Sequence, residues 1–364
     1  MRYNFSIFDL WPYAIISLVF LFCFNNKKGN NSKIIFITLF LFSALRYDIG
    51  WDYMSYLEEI QGGINELKLS RFEPLSKAIL IFSAITNFYP FTFIVFSFVI
   101  LIFVKYAIDK YSYNSTISWL VFYSLPLFFF ASLSTLRQSA ATALILYSFT
   151  FAKEKKFIYF IICIILASSF HSSGIIGLFI LPLVILKIDK KINILLLISS
   201  FLFASITKEF LEDYFYGFSI FERFTEVYVG SEASQTSGSS SLQYLYYLIA
   251  VFNLLFYNKL VSFNEMNKLF ISISNFGVVV FNLLIFEPIS ALRISAFFLI
   301  FWIFLFPYYG RIFSKKISIV VSSSLVFVLI ALSFFYVNMY INSYENRIQE
   351  KVSFLPYKFW WDNY

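Results

Sequence analysis

The stretch IIFITLFLFSALRYDIGWDY, residues 34–53, decides the fold class. Its first part, 34–45, is an apolar run carrying only Thr38 and Ser43 as polar residues. The second part sets Arg46, Asp48 and Asp52 among Tyr47, Trp51 and Tyr53. Apolar side chains followed at once by charges and aromatic rings are what a membrane helix shows where it meets the headgroup region. Inside a bilayer such charges cost a few kcal/mol unless they face a cavity or a partner. The run therefore reads as a helix end that carries a polar site.

The rest of the chain repeats the theme. Of 364 residues, 60% are hydrophobic and 13% charged, and the mean hydropathy is +0.76, values outside the range of a soluble domain. Apolar runs lie near 11–25, 34–45, 75–106, 115–131, 136–152, 157–170, 171–187, 192–207, 242–258, 268–286, 290–307 and 316–340. Several are shorter than the roughly 20 residues that span a bilayer. The expectation is an all-α polytopic integral membrane protein, a single transmembrane domain over 1–364. It has about 12 transmembrane helices, some short, broken or re-entrant. The long hydrophilic stretch 208–241 reads as a large extracytoplasmic loop, amphipathic at first and Ser/Gly-rich from Gly230 to Ser241. The opening Met1-Arg2-Tyr3-Asn4 lacks a removable signal peptide's pattern, so the first helix is expected to be retained.

Charge gives the orientation, because cytoplasmic loops carry the excess of Lys and Arg. Six connections, around Lys27–Lys33, Lys105–Lys110, Lys153–Lys156, Lys187–Lys191, Lys259–Lys268 and Arg311–Lys316, hold 16 basic and four acidic residues; the remainder holds 12 and 17. With twelve crossings and both termini outside, the two groups alternate. The +7 net charge is thus a topology signal and not a nucleic-acid footprint. Two full crossings within 75–106 would put Lys105 and Lys110 on the acidic side, so that run reads as one crossing broken around Asn87 to Pro90 or as a re-entrant piece, and 157–187 reads as a hairpin turning at Ser168 to Gly174.

The polar signals then gather on one side. Arg46, Asp48, Asp52, Glu73, Arg137, His171, Glu287 and Arg293 all fall at or near extracytoplasmic helix ends. Cys23 and Cys163 lie in apolar runs and read as core residues. A single histidine makes a His-rich metal site implausible, and no metal or cofactor is expected. Asp48 and Asp52 leave a weak Asp-x3-Asp alternative.

Five motifs carry a resemblance. Arg46-x3-Gly50-x-Asp52-Tyr53-x2-Tyr56 follows the second run, and Glu73-Pro74 opens the third. Leu136-Arg137-Gln138 opens a helix, Ala167-x2-Phe170-His171-Ser172-Ser173 follows, and Arg293 lies in a late helix. In order and spacing the chain resembles the EpsG-type family of Wzy-like O-antigen, capsular and exopolysaccharide polymerases. The resemblance implies an enzyme of the bacterial inner membrane with its active site facing outside. It would join undecaprenyl-diphosphate-linked oligosaccharide units, within the lipid bilayer and alongside a chain-length regulator protein. Its glycosyltransferase chemistry would be metal-independent.

Such transfer needs cations on the diphosphate and a base for the acceptor hydroxyl. Arginine offers phosphate a planar bidentate fork, which selects Arg137, Arg46 and Arg293. Histidine has the reference pKa nearest neutrality, which makes His171 the candidate base, with Asp52 as the alternative if burial raises its pKa. Asp48, Tyr53, Gln138, Ser172 and Glu287 are supporting candidates. Each has a plainer reading: Arg137 as an interfacial anchor, Arg46 paired with Asp48 or Asp52, Arg293 bridged to Glu287, His171 as a helix-turn residue. Glu73-Pro74 reads as a helix start, with an acid at the positive end of the dipole. Two other functions fit the composition. An O-antigen ligase shares the donor, and a flippase for lipid-linked sugars needs a similar number of spans.

Overall fold

A computed structural model describes residues 7–26, 30–215, 241–346 and 354–363. The chain is helical almost throughout and divides into two compact units, residues 1–177 with 309–364, and residues 178–308. In the first unit α1 (Trp11–Asn25) and α2 (Asn31–Ala44) lead into the short strand β1 (Arg46–Tyr47). Then come α3 (Tyr53–Gln61), α4 (Ile64–Leu69), α5 (Pro74–Thr86), α6 (Pro90–Tyr111), α7 (Ser115–Ser124) and α8 (Phe129–Ser134). The helical hairpin of α9 (Leu136–Lys153) and α10 (Phe157–Phe170) follows.

Helix α9 is the centre of this unit, packed against α6 and α10. Its sequence explains why: Ala140, Ala141, Thr142, Ala143, Ser148 and Ala152 are all buried, and small side chains let neighbouring backbones approach closely where lipid supplies no hydrophobic drive. The chain breaks at both of the expected places. Asn87 takes a left-handed conformation (φ 52°) to end α5, and Pro90 opens α6. At the end of α10, His171 turns to an extended conformation and its carbonyl accepts the Gly174 N–H at 2.8 Å. A 3₁₀ stretch, Ser172–Phe179, carries the chain onward.

The second unit holds α11 (Ile180–Leu186), α12 (Lys190–Phe215), α13 (Ser241–Leu255), α14 (Tyr257–Phe263), α15 (Met266–Leu283), α16 (Pro288–Leu299) and most of α17 (Trp302–Tyr309). Here α15 is the hub. Amides and hydroxyls stitch it to α12: Asn193 donates to Ser272 at 3.1 Å, Asn275 to the Asn193 carbonyl at 2.9 Å, and Asn282 to Ser200 at 2.8 Å. The chain then returns to the first unit through α18 (Lys315–Asn346), which packs on α7.

Among the described residues three helices are long and apolar enough to cross a bilayer, Pro90–Tyr111, Met266–Leu283 and Ile317–Val337, and the number is five if each of two bent pairs is one span. The expected twelve crossings would need the shorter apolar helices too, among them α1, α2, α5 and α10. Those helices do present apolar faces outward: Ile158, Ile161, Ile162 and Ile165 of α10 are exposed, as are Leu195, Ile198 and Leu202 of α12. Water would penalise such a surface, and lipid would not. Cys23 and Cys163 are both buried and free. Of the hydrophilic stretch 208–241, residues to 215 continue α12, and 216–240 lie outside the described residues.

One element has no counterpart in the sequence reading. Residues 358–359 form β2, antiparallel to β1 with Arg46 opposite Phe359 and Tyr47 opposite Lys358. The Trp360 N–H donates to the Leu45 carbonyl at 3.1 Å, and the Tyr357 hydroxyl to the Phe42 carbonyl at 2.7 Å. The Tyr13 hydroxyl holds the Phe354 carbonyl. Segment 354–363 is thereby strapped across the end of α2.

The loop under the strap depends on one glycine. Gly50 has φ 99°, and a Cβ there would collide with the Leu133 carbonyl. Both the backbone conformation and the close approach exclude a larger residue. Gly50→Ala is expected to cost about 2 kcal/mol or more, seen as a lower unfolding temperature of the detergent-solubilised protein. An unchanged melting profile would show that the loop yields easily.

Candidate functional site

Glu73 stands at the N-terminal boundary of α5, where an acid usually caps the helix with its own side chain. Here it does not. One carboxylate oxygen, Oε2, meets Nη1 of Arg137 at 2.5 Å. The other, Oε1, accepts the Ser172 backbone N–H at 2.9 Å and faces His171 Nδ1 at 3.0 Å. Three helix ends thus converge on one carboxylate: the start of α5, the start of α9 and the end of α10. The Ser76 hydroxyl, donating to the Phe170 carbonyl at 2.8 Å, ties α5 to α10 a turn further in.

Arg137 is held on a second side. Its Nε donates to the Tyr56 hydroxyl of α3 at 3.1 Å, and its guanidinium lies 4.7 Å from the Phe72 ring centroid. Tyr56 and Phe72 are stacked at 6.0 Å, so the arginine rests against an aromatic wall. Its Nη2 edge has no partner among the described residues. The Arg137 and His171 side chains are each 25% exposed, against 14% for Glu73. The acid is covered while both of its partners stay reachable.

Burial by itself would raise the Glu73 pKa, but the His171 hydrogen bond, the Ser172 N–H and the Arg137 charge outweigh it and hold the carboxyl at about 2, down from 4.5. An ionised carboxylate only accepts hydrogen bonds. Nδ1 of a neutral His171 must then carry the proton, and Nε2 presents a lone pair. The pairing converts an ordinary histidine into one with a fixed tautomer.

The hairpin also sets the cluster and the basic turn at opposite ends. Arg137 opens α9 and His171 follows the end of α10, while Lys153, Glu154, Lys155 and Lys156 form the turn between them. An 18-residue helix is about 27 Å long, so the cluster and the basic turn stand nearly a bilayer core apart. The basic end has its own ion pairs, Glu154 with Lys110 at 2.7 Å and with Lys156 at 2.8 Å.

The other expected residues fall into three groups. Asp52 precedes α3 with no capping bond from its side chain, and its charge bears on the Tyr56 phenol. Gln138 is buried beside Arg137 on α9, and Ser172 enters through its backbone. Arg46, Asp48 and Tyr53 form a neighbouring buckle. Arg46 is 1% exposed and donates from Nε to the Ile49 carbonyl at 3.1 Å, from Nη2 to the Leu133 carbonyl at 3.0 Å, and from Nη1 to the Ser43 carbonyl. Burial pulls its pKa down to about 10, so it stays charged near neutrality. Tyr53 stacks on Phe93 at 3.9 Å, with Arg46 near both rings, and Asp48 adopts φ 51°. Glu287 and Arg293 belong to the second unit. Glu287 is 1% exposed and caps α16, its Oε2 accepting the Ser290 N–H at 2.6 Å, and Arg293 lies two turns into that helix.

In the sequence reading Glu73 was a polar signal and a helix start, Tyr56 only a motif position, and Phe72 was not singled out. Glu73 was legible in principle, since an acid at the mouth of an apolar helix is itself a polar signal; the proline after it favoured the helix-start reading. Among the described residues no three His, Cys, Asp or Glu side chains are grouped to hold a metal.

A family model described as the EpsG family matches residues 32–359, which takes in the Glu73 cluster, the Arg46 buckle and both strands. Comparison with curated proteins and with solved structures gives no match.

The Glu73 shift has a pH signature. A carboxyl depressed in the folded protein stabilises fully above its unfolded pKa and loses that contribution as pH falls through the folded value. Glu73 should therefore add stability above about pH 4.5 that disappears between 4.5 and 2. Acid titration of the melting temperature checks this, and Glu73→Gln should flatten that part of the curve. An identical acid limb in the variant would mean that the cluster adds no stability.

Proposed function

Because the chain belongs to the EpsG family, we propose that it is a polysaccharide polymerase, a glycosyltransferase that joins undecaprenyl-diphosphate-linked oligosaccharide repeat units. The family makes it a membrane protein of polysaccharide biosynthesis. The observation that carries the enzymatic reading is the shared Glu73 carboxylate, which sets a reachable arginine and a tautomer-fixed histidine side by side.

Each part has a task. Arg137 takes the donor's diphosphate with its outer guanidinium edge and offsets the charge that grows there as the glycosidic bond breaks. His171 Nε2 accepts the proton of the acceptor hydroxyl, whose oxygen forms the new bond to the anomeric carbon. The bond from that carbon to the diphosphate breaks, and undecaprenyl diphosphate leaves with the electron pair. Glu73 stabilises the imidazolium formed in between and keeps its ring in place. His171 is preferred over Asp52 as the base because the Glu73 carboxylate orients its ring. Arg46, with three donors on backbone carbonyls, is assigned to holding the 46–53 loop and not to phosphate. The step uses side chains of the first unit alone.

The reaction would take place on the outer face of the bacterial inner membrane, opposite the basic loops, for O-antigen, capsule or exopolysaccharide. A chain-length regulator would be its protein partner. The cluster's position at the far end of α9 from Lys153 supports that orientation.

A deletion strain complemented with wild type, His171→Ala or Arg137→Ala tests the reading by gel analysis of surface polysaccharide. Wild type should restore the ladder, while each variant, inserted at normal level, leaves a single repeat unit. Loss of a general base predicts a rate about 10² to 10⁴ lower. Absence of every unit in the deletion strain would indicate flipping or ligation. Full ladders from His171→Ala would remove it from the chemistry.

A further inference from the structure

A cavity of about 140 Å³ lies beside the Arg46 buckle, walled by Tyr47, Tyr53, Leu57, Gln61, Tyr89 and Trp360. It has room for on the order of five waters, or one sugar ring with its substituents projecting through the open side. Four elements meet there: β1, α3, the start of α6 and the 354–363 strap. The strap delivers Trp360, held by its backbone N–H on Leu45 and by the β1–β2 pairing.

The lining selects a class of ligand. Three tyrosines, a tryptophan and a primary amide make up most of the lining, with Leu57 and Pro90 completing it, and no charged side chain lines it among the described residues. A lipid chain would be matched by aliphatic walls, and a phosphate by cations. Aromatic faces bordered by phenol hydroxyls and an amide suit a neutral molecule with an apolar C–H face and a rim of hydroxyls, which describes a pyranose. Position agrees with chemistry. Tyr53, Leu57 and Gln61 recur every four residues and share one side of α3, while Tyr56, next to Leu57, reaches round to Arg137. The neutral cavity and the cationic cluster are thus served by one nine-residue helix, within about a turn of each other along its axis.

We infer that this cavity is a saccharide subsite, gripping a sugar ring of the same lipid-linked glycan whose diphosphate meets Arg137. The inference rests on the polymerase reading for the identity of the glycan, but the binding itself does not require catalysis. It makes Trp360, more than three hundred residues from Arg46 along the chain, a substrate-binding residue.

The probe is the repeat-unit oligosaccharide released by mild acid from the cells' own lipid-linked pool. Its binding to the full-length protein in nanodiscs is followed by saturation-transfer NMR. Wild type should bind it, Trp360→Ala roughly threefold to tenfold more weakly, and Trp360→Phe nearly as wild type. Arg137→Ala should retain the oligosaccharide while losing polymer, which separates this site from the chemistry. In membranes, Trp360→Ala should raise the concentration of lipid-linked unit needed for half-maximal rate and leave the saturated rate unchanged. No binding by wild type, or equal binding by wild type and Trp360→Ala, would overturn the subsite. Displacement of the oligosaccharide by farnesyl phosphate alone would assign the cavity to the lipid instead. Binding that persists when deletion of the protein leaves the surface polysaccharide unaltered would keep the subsite and retire the polymerase.

Discussion

The Glu73 carboxylate is the constraint on which the site depends. Putting an anion in a poorly hydrated place costs more than any single ordinary hydrogen bond returns. The cost is met only because a guanidinium, a ring N–H and a backbone N–H all point at it. Those donors come from three separate helix ends, so α5, α9 and α10 must each arrive in register before the charge is tolerable. Neutralising the acid would leave Arg137 without its ion pair and His171 free to choose either tautomer. A fold requirement and a chemical requirement have become the same requirement.

Arg46 and Arg137 show how little residue type says on its own. Both follow or open apolar runs, and both lie beside aromatic rings. Arg46 points inward, where backbone carbonyls of the 43–49 loop and of Leu133 take its donors, and it acts as a rivet for the loop that Gly50 allows to pass so close. Arg137 spends two donors on Tyr56 and Glu73 and keeps an edge outward. The difference lies in what surrounds each guanidinium.

That is also where the sequence stops being legible. Membrane class followed from composition, the break at Asn87 from the length of its apolar run and Pro90, and the turn at His171 from the charge on either side of it. Arg137, His171 and Ser172 were singled out by polarity in apolar surroundings, and the structure brings them together. Glu73 does stand at a helix start, as read, but that local rule, acid then proline, explained it without any partner from elsewhere in the chain. Its true partners are 64 and 98 residues away. Segment 354–363 escaped for the same reason: a two-residue strand has no periodicity to detect, and its meaning lies wholly in the strand opposite.

The β1–β2 pairing has a consequence in time. Strand β1 emerges early in synthesis, and its partner follows more than three hundred residues later. At about 5–20 residues per second, the wait is roughly 15–60 s. For that interval the loop carrying Arg46 and Tyr47 exists with its strand edge bare, while every later helix enters the bilayer. The seam therefore closes only after the helices between the two strands have been made, and a nascent chain stalled short of it would hold the charged cluster without the strap beside it.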